Sequence, residues 1–588
     1  MVSRPMTNTE VAATFTLLAD LLEIGGESSY KVLAYRRAAE SIVQQSDSLA
    51  AMRDRGALKE IPGVGTEIAQ KISDLLTTGS FRLLDEAKAA IPAGVASLLR
   101  VSGLGPKRAG LLYKELGIES LDALRTALEE GRVAGVAGVG PKTAERIAAG
   151  LRTLHTDDKR LPLGTARPLG LRLIQQLRER APGIAQIELA GSIRRFRETI
   201  GDLDIVAAAS DPPAVVEAFI TLPSVAGVEM RGPNRCRVIL DNGFPADLWV
   251  LPEAHWGSLL QHVTGNKYSD IRLRDLALGR GIRMSEYGFT VDGGLIACAT
   301  EEEVYRFLGM QWIPPAMRRA GEEIDLALRG ELPVVIELSQ LRGDMHTHSE
   351  WSDGTRTIHD MALAARARGY EYMCLTDHSQ GLGVAHGLTP ERLRQQRTEI
   401  DQVNAKLAPF RVLQGTELEV RADGSLDYDD EVLASLDIVI ASVHSQLQQD
   451  RQRITSRAVA AIRHPLVDIL AHPTGRIVGG RMGGDFEMET LYAEAARNGT
   501  VLEIDGDPGR LDLRDVHARA AIAAGCMVSI DSDAHSVEGL ENVFYGAGTA
   551  QRAWVPPDRV LNALPLDAML ARLKRARATS VRPRKHVE

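Results

Sequence analysis

The C-terminal half of the chain is constrained by histidine and carboxylate residues that gather in short clusters. Ten of the 14 histidines fall between His346 and His535. Imidazole and carboxylate donors together suit Zn²⁺, Mn²⁺ or Fe²⁺, and several such groups can hold two or three ions about 3.5–4 Å apart. Ions held in this way cleave phosphate esters, because they generate hydroxide from water and neutralise the developing charge. The candidate ligands are His346, His348, Asp353, His378, Glu417, His444, His472, Asp533 and His535.

The spacing of these clusters predicts the fold that carries them. Short apolar segments alternate with Ala/Arg-rich helical segments, and the candidate ligands follow the carboxyl ends of the apolar segments. This placement is what a (β/α) barrel requires, so we expect a distorted (β/α) barrel over 341–577, followed by a basic, disordered tail after Arg577. The predicted strands are Tyr372–Leu375, Ile438–Ser442, Asp468–Ala471, Val501–Ile504 and Met527–Ile530.

Bulk properties describe a soluble chain with several domains, since one hydrophobic core rarely grows past about 250–300 residues. The chain has 588 residues, 44% of them hydrophobic and 25% charged. No apolar run approaches the roughly 18–20 residues that span a bilayer, and the N-terminus lacks the apolar core of a signal peptide. The four scattered cysteines predict reduced thiols in a cytoplasmic protein. The net charge of −9 excludes a polycation, so any DNA binding must be local.

Residues 1–150 read as helices joined by short glycine turns, and three of these turns repeat one pattern. Each turn has the form hydrophobic-Gly-x-Gly and opens a helix with an alanine at a matching offset. The glycines permit close backbone approach, and free N–H groups at the start of the next helix can hold a phosphate. The glycines are Gly63, Gly65, Gly103, Gly105, Gly138 and Gly140. One such turn could be a plain helix–helix connection, but three resemble the helix-hairpin-helix motif, which grips the DNA backbone without reading bases. We therefore expect an all-α helix-hairpin-helix region here, followed by an α+β nucleotidyltransferase part.

The sequence predicts linkers at His155–Arg160 and Glu331–Gln340. Beyond the first of them, a second group of carboxylates predicts a nucleotidyltransferase centre. Asp202 and Asp204 alternate on a predicted strand, so their side chains point to one face. Asp247 lies on the far strand of a hairpin turned at Asp241-Asn-Gly243. Two Mg²⁺ ions held by the three aspartates would activate a 3′-hydroxyl and stabilise leaving pyrophosphate. Isolated Asp pairs are often plain surface residues, but this ordered set, preceded by Gly191-Ser192, is more specific.

Residues 1–330 resemble the family X DNA polymerases. The resemblance implies a lyase-like helical region at 1–85, fingers at 86–152, a palm at 165–258 and a thumb at 259–330. It implies that Asp202, Asp204 and Asp247 ligate Mg²⁺ or Mn²⁺. It also assigns roles to further residues: Gly191, Ser192 and Arg195 at the triphosphate, Thr264 and Gly265 at the sugar, Asp270 at the base, Arg274 at the template, Lys31 at a 5′-phosphate, and Lys71 as a Schiff-base lyase nucleophile.

Three departures from that family put parts of the resemblance in question. His262-Val263 stands where the family has Tyr-Phe, which affects the choice between deoxy- and ribonucleotides. Asp270 replaces an asparagine, and a carboxylate cannot donate as an amide does. Glu67, one helical turn before Lys71, would hold the lysine protonated and make it a poorer nucleophile.

Residues 341–575 resemble the PHP (polymerase and histidinol phosphatase) family. The resemblance implies that the nine candidate ligands bind three ions and that Glu417 bridges two of them. Histidine-rich ligation favours Mn²⁺ or Zn²⁺, with Fe²⁺ also compatible.

The sequence therefore predicts a cytoplasmic, monomeric DNA-repair polymerase with a 3′-5′ exonuclease or 3′-end-processing PHP domain. We expect it to fill short gaps in gapped or nicked double-stranded DNA from deoxynucleoside triphosphates, without contacting a membrane. The alternative is a PHP nuclease whose polymerase half binds DNA but is inactive. A non-enzymatic DNA-end scaffold would need none of the intact ligands, and a small-metabolite phosphatase fits poorly with a DNA-binding half.

Overall fold

The computed structural model of the chain describes residues 6, 8–43, 45, 47–101, 104–152, 160–319 and 321–574. Gly103, the basic tail and most of the predicted 155–160 linker lie outside these residues. By internal contacts the chain divides into two compact units, one comprising residues 1–160, 220–231 and 236–246, and the other the remainder. Among the described residues, no helix is long and apolar enough to cross a membrane.

The first unit is mostly helical around one hydrophobic core. Two strands, Val225–Arg231 and Arg235–Leu240, pair antiparallel. Its helices are Asn8–Gly25, Ser29–Val43, Leu49–Asp54, Thr66–Thr78, Arg82–Ala90, Ala93–Ser97, Pro106–Leu116, Leu121–Glu129 and Pro141–Arg152, with 3₁₀ turns at Leu58–Glu60, Leu98–Arg100 and Arg132–Gly135.

The three predicted glycine turns share one local geometry. In each, the residue between the glycines donates its backbone N–H to the hydrophobic residue three positions earlier, at 3.0, 3.0 and 2.9 Å. The first glycine is left-handed where it is described, with φ of +80° at Gly63 and +87° at Gly138. The second glycine immediately precedes the next helix, at Thr66, Pro106 and Pro141. The predicted helix-hairpin-helix repeat is therefore confirmed as a structure.

The second unit begins with the nucleotidyltransferase part. Strand Leu203–Ala209 lies between Ile184–Leu189 and Pro245–Leu251, and its pairing with Ile184–Leu189 is antiparallel. The sequence predicts these three strands at 184–190, 203–208 and 246–251, which agrees with the observed bounds to within one residue at each end. A short antiparallel pair joins Leu161–Pro162 to Thr199–Ile200. The helices here are Leu163–Arg180, Gly191–Arg194 and Pro212–Ile220.

The segment from 256 to 329 is mixed helix and short strand, as predicted. A three-stranded antiparallel sheet is formed by Arg283–Ser285, Gly288–Val291 and Gly294–Ile296. The helices are Trp256–Thr264, Lys267–Leu278, Glu301–Phe307 and Glu322–Arg329, with 3₁₀ turns at Glu253–His255 and Pro315–Met317.

The C-terminal part is built on parallel strands in two sheets. One sheet has the order Gly343–Thr347, Tyr372–Leu375, Arg411–Gln414, and the other has the order Glu417–Glu419, Ile440–Ser442, Ile469–Leu470, Val501–Asp505, Val528–Asp531. Bridges from Thr347 to Ala534 and from His378 to Glu417 join the edges of the two sheets. The result is the distorted (β/α) barrel that the sequence predicts. Strand Gly343–Thr347 overlaps the predicted strand at 341–345, whereas strands Arg411–Gln414 and Glu417–Glu419 were not predicted.

Helices alternate with these strands and pack over a large core. They are Ile358–Ala367, Pro390–Leu407, Asp430–Ser435, Arg451–Arg463, Met488–Asn498, Asp515–Ala523, Val543–Arg552 and Leu566–Arg572, with 3₁₀ turns at Leu338–Gln340, Gly383–Ala385, Glu538–Asn542, Pro557–Arg559 and Leu561–Ala563.

The predicted linker Glu331–Gln340 does not behave as a free connection. The Ile336 side chain is fully buried, its backbone N–H donates to Val555 O at 2.9 Å, and its carbonyl accepts from Gln551 Nε2 at 3.0 Å. The segment is in fact mostly apolar, with Leu332, Val334, Val335, Ile336 and Leu338, and Ile336 belongs to the hydrophobic core of the C-terminal part.

Candidate active sites

The three aspartates of the nucleotidyltransferase part come together as predicted. Carboxylate oxygens of Asp202, Asp204 and Asp247 all lie within 4.8 Å of one another, and the three residues are half-buried. Three hard oxygen donors at this spacing fit Mg²⁺ or Mn²⁺. Asp202 and Asp204 converge because Asp202 immediately precedes strand Leu203–Ala209 and Asp204 lies two positions later within it. Asp247 converges with them because its strand, Pro245–Leu251, is the neighbour of that strand.

Gly191 is required by the close approach of Asp204. Its φ is +55°, and a Cβ at this position would lie 1.8 Å from Asp204 Oδ2. The following helix, Gly191–Arg194, is only four residues long, so its dipole contributes little to anion binding. Ser192 Oγ is buried and has no hydrogen-bond partner among the described residues. A buried hydroxyl left without a partner suits a ligand that supplies one.

Arg195 is the principal cation of this loop. Its Nη1 donates to the carbonyl of Thr264. Burial, together with the nearby guanidinium groups of Arg552 and Arg197, lowers the pKa of Arg195 to about 10 against the opposing pull of Asp204. The side chain therefore stays protonated at neutral pH. Thr264 itself is buried, and its hydroxyl accepts from Arg194 Nη1 at 2.9 Å.

A cavity of about 480 Å³ joins the aspartates to the predicted nucleotide-binding residues. Thr264 and Asp247, which the sequence also singles out, do not line it. Lys267 lines the cavity and was not predicted. The lining residues are Gly191, Ser192, Arg195, Asp202, Asp204, His262, Val263, Gly265, Asn266, Lys267, Asp270, Ile271 and Arg274.

Asp270, at the predicted base-contacting position, is held by a residue that the sequence did not reveal. Gln261 Nε2 donates to Asp270 Oδ1 at 2.9 Å. Burial raises the pKa of Asp270 to about 6, although Gln261 and three arginines oppose the rise. Asp270 is therefore mostly ionised at pH 7.5 and half protonated near pH 6.

His262 and Arg274 face each other in the same cavity. Arg274 Nη2 lies 3.1 Å from His262 Nδ1, which fits a neutral imidazole accepting at Nδ1. Burial and the charge of Arg274 lower the pKa of His262. Arg274, predicted to contact the template, is thus engaged by His262.

In the first unit, Lys71 is ion-paired as predicted. Its Nζ contacts Glu67 Oε1 and lies 5.8 Å from the Tyr35 ring centroid. The Lys71 side chain is 11% exposed. Lys31 pairs with Glu27 at 2.9 Å rather than standing free.

All nine predicted ligands of the C-terminal barrel converge. Donor atoms within each of three groups lie within 4.8 Å of one another. Most of the ligands stand in a strand or in the first few residues after it, and Asp353 lies in the loop after strand Gly343–Thr347, so the barrel gathers them at one end. The three groups contain eight of the nine ligands, and the ninth, His472, lies 2.8 Å from Glu417. The groups are His348–Asp353–His378–His535, His346–His348–Asp533 and His378–Glu417–His444.

Glu417 lies at the centre of this cluster. Its Oε1 is 2.8 Å from His472 Nε2 and 3.0 Å from His444 Nε2. Its Oε2 is 2.9 Å from His378 Nδ1, 3.4 Å from His346 Nε2 and 3.6 Å from His348 Nε2. One carboxylate with histidines on both oxygens has the arrangement expected of a bridging ligand.

The electrostatics of the cluster favour positive charge. Burial alone would lower the pKa of His378, but Glu417 and Asp353 raise it to about 10. Glu417 and Glu419 likewise raise the pKa of His444 to about 9 against its burial. Burial and the positive charges of His535 and His378 lower the pKa of His348 to about 3. Together with the buried, unbonded Nε2 of His346 and Nδ1 of His348, this donor set fits divalent cations.

Two further carboxylates orient the ligands and were missed in the sequence. Glu503 Oε1 accepts from His346 Nδ1 at 2.7 Å, and its Oε2 accepts from the His472 backbone N–H at 2.6 Å. Glu419 Oε2 pairs with His444 Nδ1 at 2.8 Å. Such pairs fix the tautomer so that Nε2 faces the cation. The available signal was a charged residue inside an otherwise apolar strand, Val501-Leu-Glu503-Ile.

Asp344 and Asp377, the remaining acids of the clusters, hold loops. Asp377 accepts from Ser349 N at 2.8 Å, Ser352 Oγ at 2.6 Å and Gln396 Nε2 at 2.6 Å. Asp344 Oδ1 accepts from Ser532 N at 3.2 Å. They thereby fix the segments that carry Asp353 and Asp533.

Comparison with known proteins agrees with this geometry. Four family models match: a helix-hairpin-helix domain at residues 6–81, a SAM-like helix-hairpin-helix tandem at 95–153, a DNA polymerase beta thumb at 259–319 and a PHP domain at 344–503. Probable phosphatases of Shewanella oneidensis and Edwardsiella ictaluri are 28% and 29% identical over 38% of this chain, and cover 88% and 90% of their own lengths.

One relative matches over nearly the whole chain. The DNA polymerase/3′-5′ exonuclease PolX of Bacillus subtilis is 38% identical over 577 residues, which cover 97% of this chain and all of that protein. Full-length similarity at this level, with thumb and PHP matches in the same order, establishes that the chain belongs to the PolX family of family X DNA polymerases with a C-terminal PHP domain.

Proposed function

We propose that this chain is a DNA-repair enzyme with two phosphoryl-transfer centres, a template-directed polymerase and a metal-dependent 3′-5′ exonuclease. The observation that carries the proposal is that each half holds a complete donor set at ligand spacing. A protein that only bridged DNA ends would have no need for either.

In the polymerase centre, Asp202, Asp204 and Asp247 would hold Mg²⁺ or Mn²⁺, which supplies Lewis acidity to a 3′-hydroxyl and to pyrophosphate. Arg195 and Ser192 Oγ receive the triphosphate from the wall of the cavity, while Gly265 and Asp270 border the sugar and base. Thr264 acts through its carbonyl, which holds Arg195. His262 and Val263 leave the sugar without the aromatic pair common in the family, so we expect weaker discrimination against ribonucleotides.

In the exonuclease centre, eight ligands would surround Glu417 and hold two or three Mn²⁺ or Zn²⁺ ions, which supply a deprotonated nucleophile. These ligands are His346, His348, Asp353, His378, His444, His472, Asp533 and His535. Glu503 and Glu419 keep His346 and His444 in the tautomer that presents Nε2. The names of the phosphatase relatives suggest phosphatase action on a metabolite as the other activity. Exonuclease action fits a DNA-binding chain better.

The natural substrate we propose is gapped or nicked double-stranded DNA, with deoxynucleoside triphosphates as co-substrate. The glycine turns at Gly63–Gly65, Gly103–Gly105 and Gly138–Gly140 would hold phosphates through backbone amides, with Arg274 at the template. We place the lyase-like region at 1–85, the fingers at 86–152, the palm at 165–258, the thumb at 259–330 and the PHP domain at 341–577. We propose a cytoplasmic monomer.

Lyase activity is a weaker candidate. Lys71 is ion-paired with Glu67, so the nitrogen that would have to attack the sugar is engaged by a carboxylate.

The test uses a labelled primer in a one-nucleotide gap with a downstream 5′-phosphate. With Mn²⁺, the primer lengthens when deoxynucleotides are present and shortens when they are absent. Shortening in both cases, without extension, would establish the alternative of a nuclease with an inactive polymerase half. Small phosphate esters hydrolysed faster than the primer would instead favour a metabolite phosphatase.

A further inference from the structure

The loop that carries Ser192 and Arg195, residues 191–198 (the nucleotide loop), is held from outside the polymerase half. Arg552, at the end of helix Val543–Arg552 in the PHP barrel, donates from Nη1 to the carbonyl of Arg195 at 2.7 Å. The same guanidinium donates from Nε and Nη2 to Asp515 Oδ2 at 3.1 and 3.0 Å. Arg552 is 4% exposed and Asp515 8%, so both bonds are sheltered from water.

Phe196, the next residue of the nucleotide loop, is seated on the same helix. Its φ is +52°, and its ring centroid lies 5.1 Å from that of Phe544. A Cβ at Gly548 would come within 1.9 Å of the Phe196 ring. The helix therefore carries a glycine where the loop inserts its aromatic side chain.

The end of the loop is tied a third time. Glu198 Oε2 pairs with Arg476 Nη1 at 2.8 Å, and Glu198 Oε1 lies 3.6 Å from Arg514 Nη2. Arg476 donates in turn to the carbonyls of Arg510 and Leu511 at 2.9 and 2.8 Å. Backbone, aromatic and ionic contacts thus reach consecutive parts of one loop from one neighbour.

The charges explain why Asp515 belongs to this arrangement. Arg552 stands beside Arg195 and Arg197, and three guanidinium groups repel one another in a buried space. Asp515 offsets the charge of Arg552, which leaves Arg195 as the cation of the nucleotide loop that borders the cavity.

We propose that Arg552 and Asp515 of the PHP half are positioning residues for nucleotide binding in the polymerase half. They fix the Arg195 backbone so that its guanidinium, anchored on Thr264 O, borders the cavity beside Ser192. Neither belongs to the metal-ligand groups. This inference rests on the proposed function, because it assumes that Arg195 binds the triphosphate.

The test measures single-nucleotide incorporation on the gapped primer for the full-length protein and for Arg552→Met, which keeps the aliphatic stem, and Asp515→Asn. We expect the KM for deoxynucleotide to rise five- to tenfold, with kcat and the exonuclease rate of the same preparations within twofold. The control is Arg394→Met. The Arg394 side chain is exposed on a PHP helix and is paired with Glu391 among the contacts described, so this change should leave every parameter within twofold. An unchanged KM in both test variants, or equal losses of kcat and exonuclease rate, would overturn the proposal.

A double-substitution cycle separates this inference from its premise. If Arg552 acts through Arg195, then Arg195→Ala raises KM, and adding Arg552→Met changes it by less than twofold. Independent, multiplicative effects would show that Arg552 does not act through Arg195. An unchanged KM in Arg195→Ala alone would refute the assignment of the nucleotide site itself, whatever Arg552→Met does.

Discussion

Glu503→Gln should weaken metal binding in the PHP centre, although Glu503 is not a ligand. Its two oxygens accept from two donors, His346 Nδ1 at 2.7 Å and the His472 backbone N–H at 2.6 Å. An amide has one acceptor, so one of these donors must face an NH₂ group. If the amide nitrogen faces His346, the imidazole must shift its proton to Nε2, the atom that faces the cation.

The magnitude follows from the lost charged hydrogen bond. Such a bond contributes about 1.5–3 kcal/mol, and 1.4 kcal/mol is a factor of ten, so metal affinity should fall about 10–100-fold. This agrees with the range typical of residues that orient metal-binding histidines.

The assay is calorimetric titration of Mn²⁺ into metal-stripped protein, with the exonuclease rate followed against Mn²⁺ concentration. Polymerase activity on the gapped primer should remain within twofold. The matched control is Glu494→Gln, which removes a carboxylate bonded to Arg463 on a helix of the same domain. A metal requirement that moves equally in both variants, or in neither, would refute the role of Glu503.

Three further outcomes are expected. Gly191→Ala should lower the rate of synthesis at least 100-fold and leave exonuclease activity intact. A Cβ at this position would lie 1.8 Å from Asp204 Oδ2, and about 2.7 kcal/mol of lost positioning is enough for that factor. Synthesis at the native rate would contradict this expectation. Asp270→Asn should raise the free energy of unfolding by roughly 2–3 kcal/mol at pH 7.5 and by about half as much at pH 5. The reason is that the folded pKa of about 6 lies above the unfolded value of 3.8, so the cost of burying the carboxylate grows as the pH rises between them. A pH-independent gain in stability, measured by urea unfolding, would count against this expectation. Borohydride trapping of a 5′-deoxyribose phosphate should be weak in the native protein. Trapping should rise up to about fivefold in Glu67→Gln, which removes the ion pair between the exposed Glu67 carboxylate and Lys71. The absence of an adduct in both proteins would exclude Lys71 as the nucleophile.

Local patterns in the sequence predicted the metal ligands better than they predicted the residues that orient functional side chains. His346-Thr-His348 and Asp202-Leu-Asp204 are recognisable because the two members of each pair are two positions apart at one end of a strand. Glu503 and His346 are 157 positions apart, and nothing near Glu503 announces its partner. Arg552 and Arg195 are 357 positions apart. Such pairs are created by barrel closure and packing between elements, which a reading of local spacing cannot supply.

Burial also decided where local composition misled. Strand Arg411–Gln414 is short and begins and ends with polar residues, so its period was not recognisable. Segment Glu331–Gln340 reads as a linker, yet Ile336 is fully buried. In both cases tertiary contacts outweigh the local signal.

If one chain carries two independent phosphoryl-transfer centres, paired variants assayed on the gapped primer should each lose one activity and keep the other. Asp202→Ala should abolish extension and retain 3′ shortening, whereas His348→Ala should abolish shortening and retain extension. Extension that survives in Asp202→Ala, or shortening that survives at the native rate in His348→Ala, would contradict the assignment of the corresponding centre.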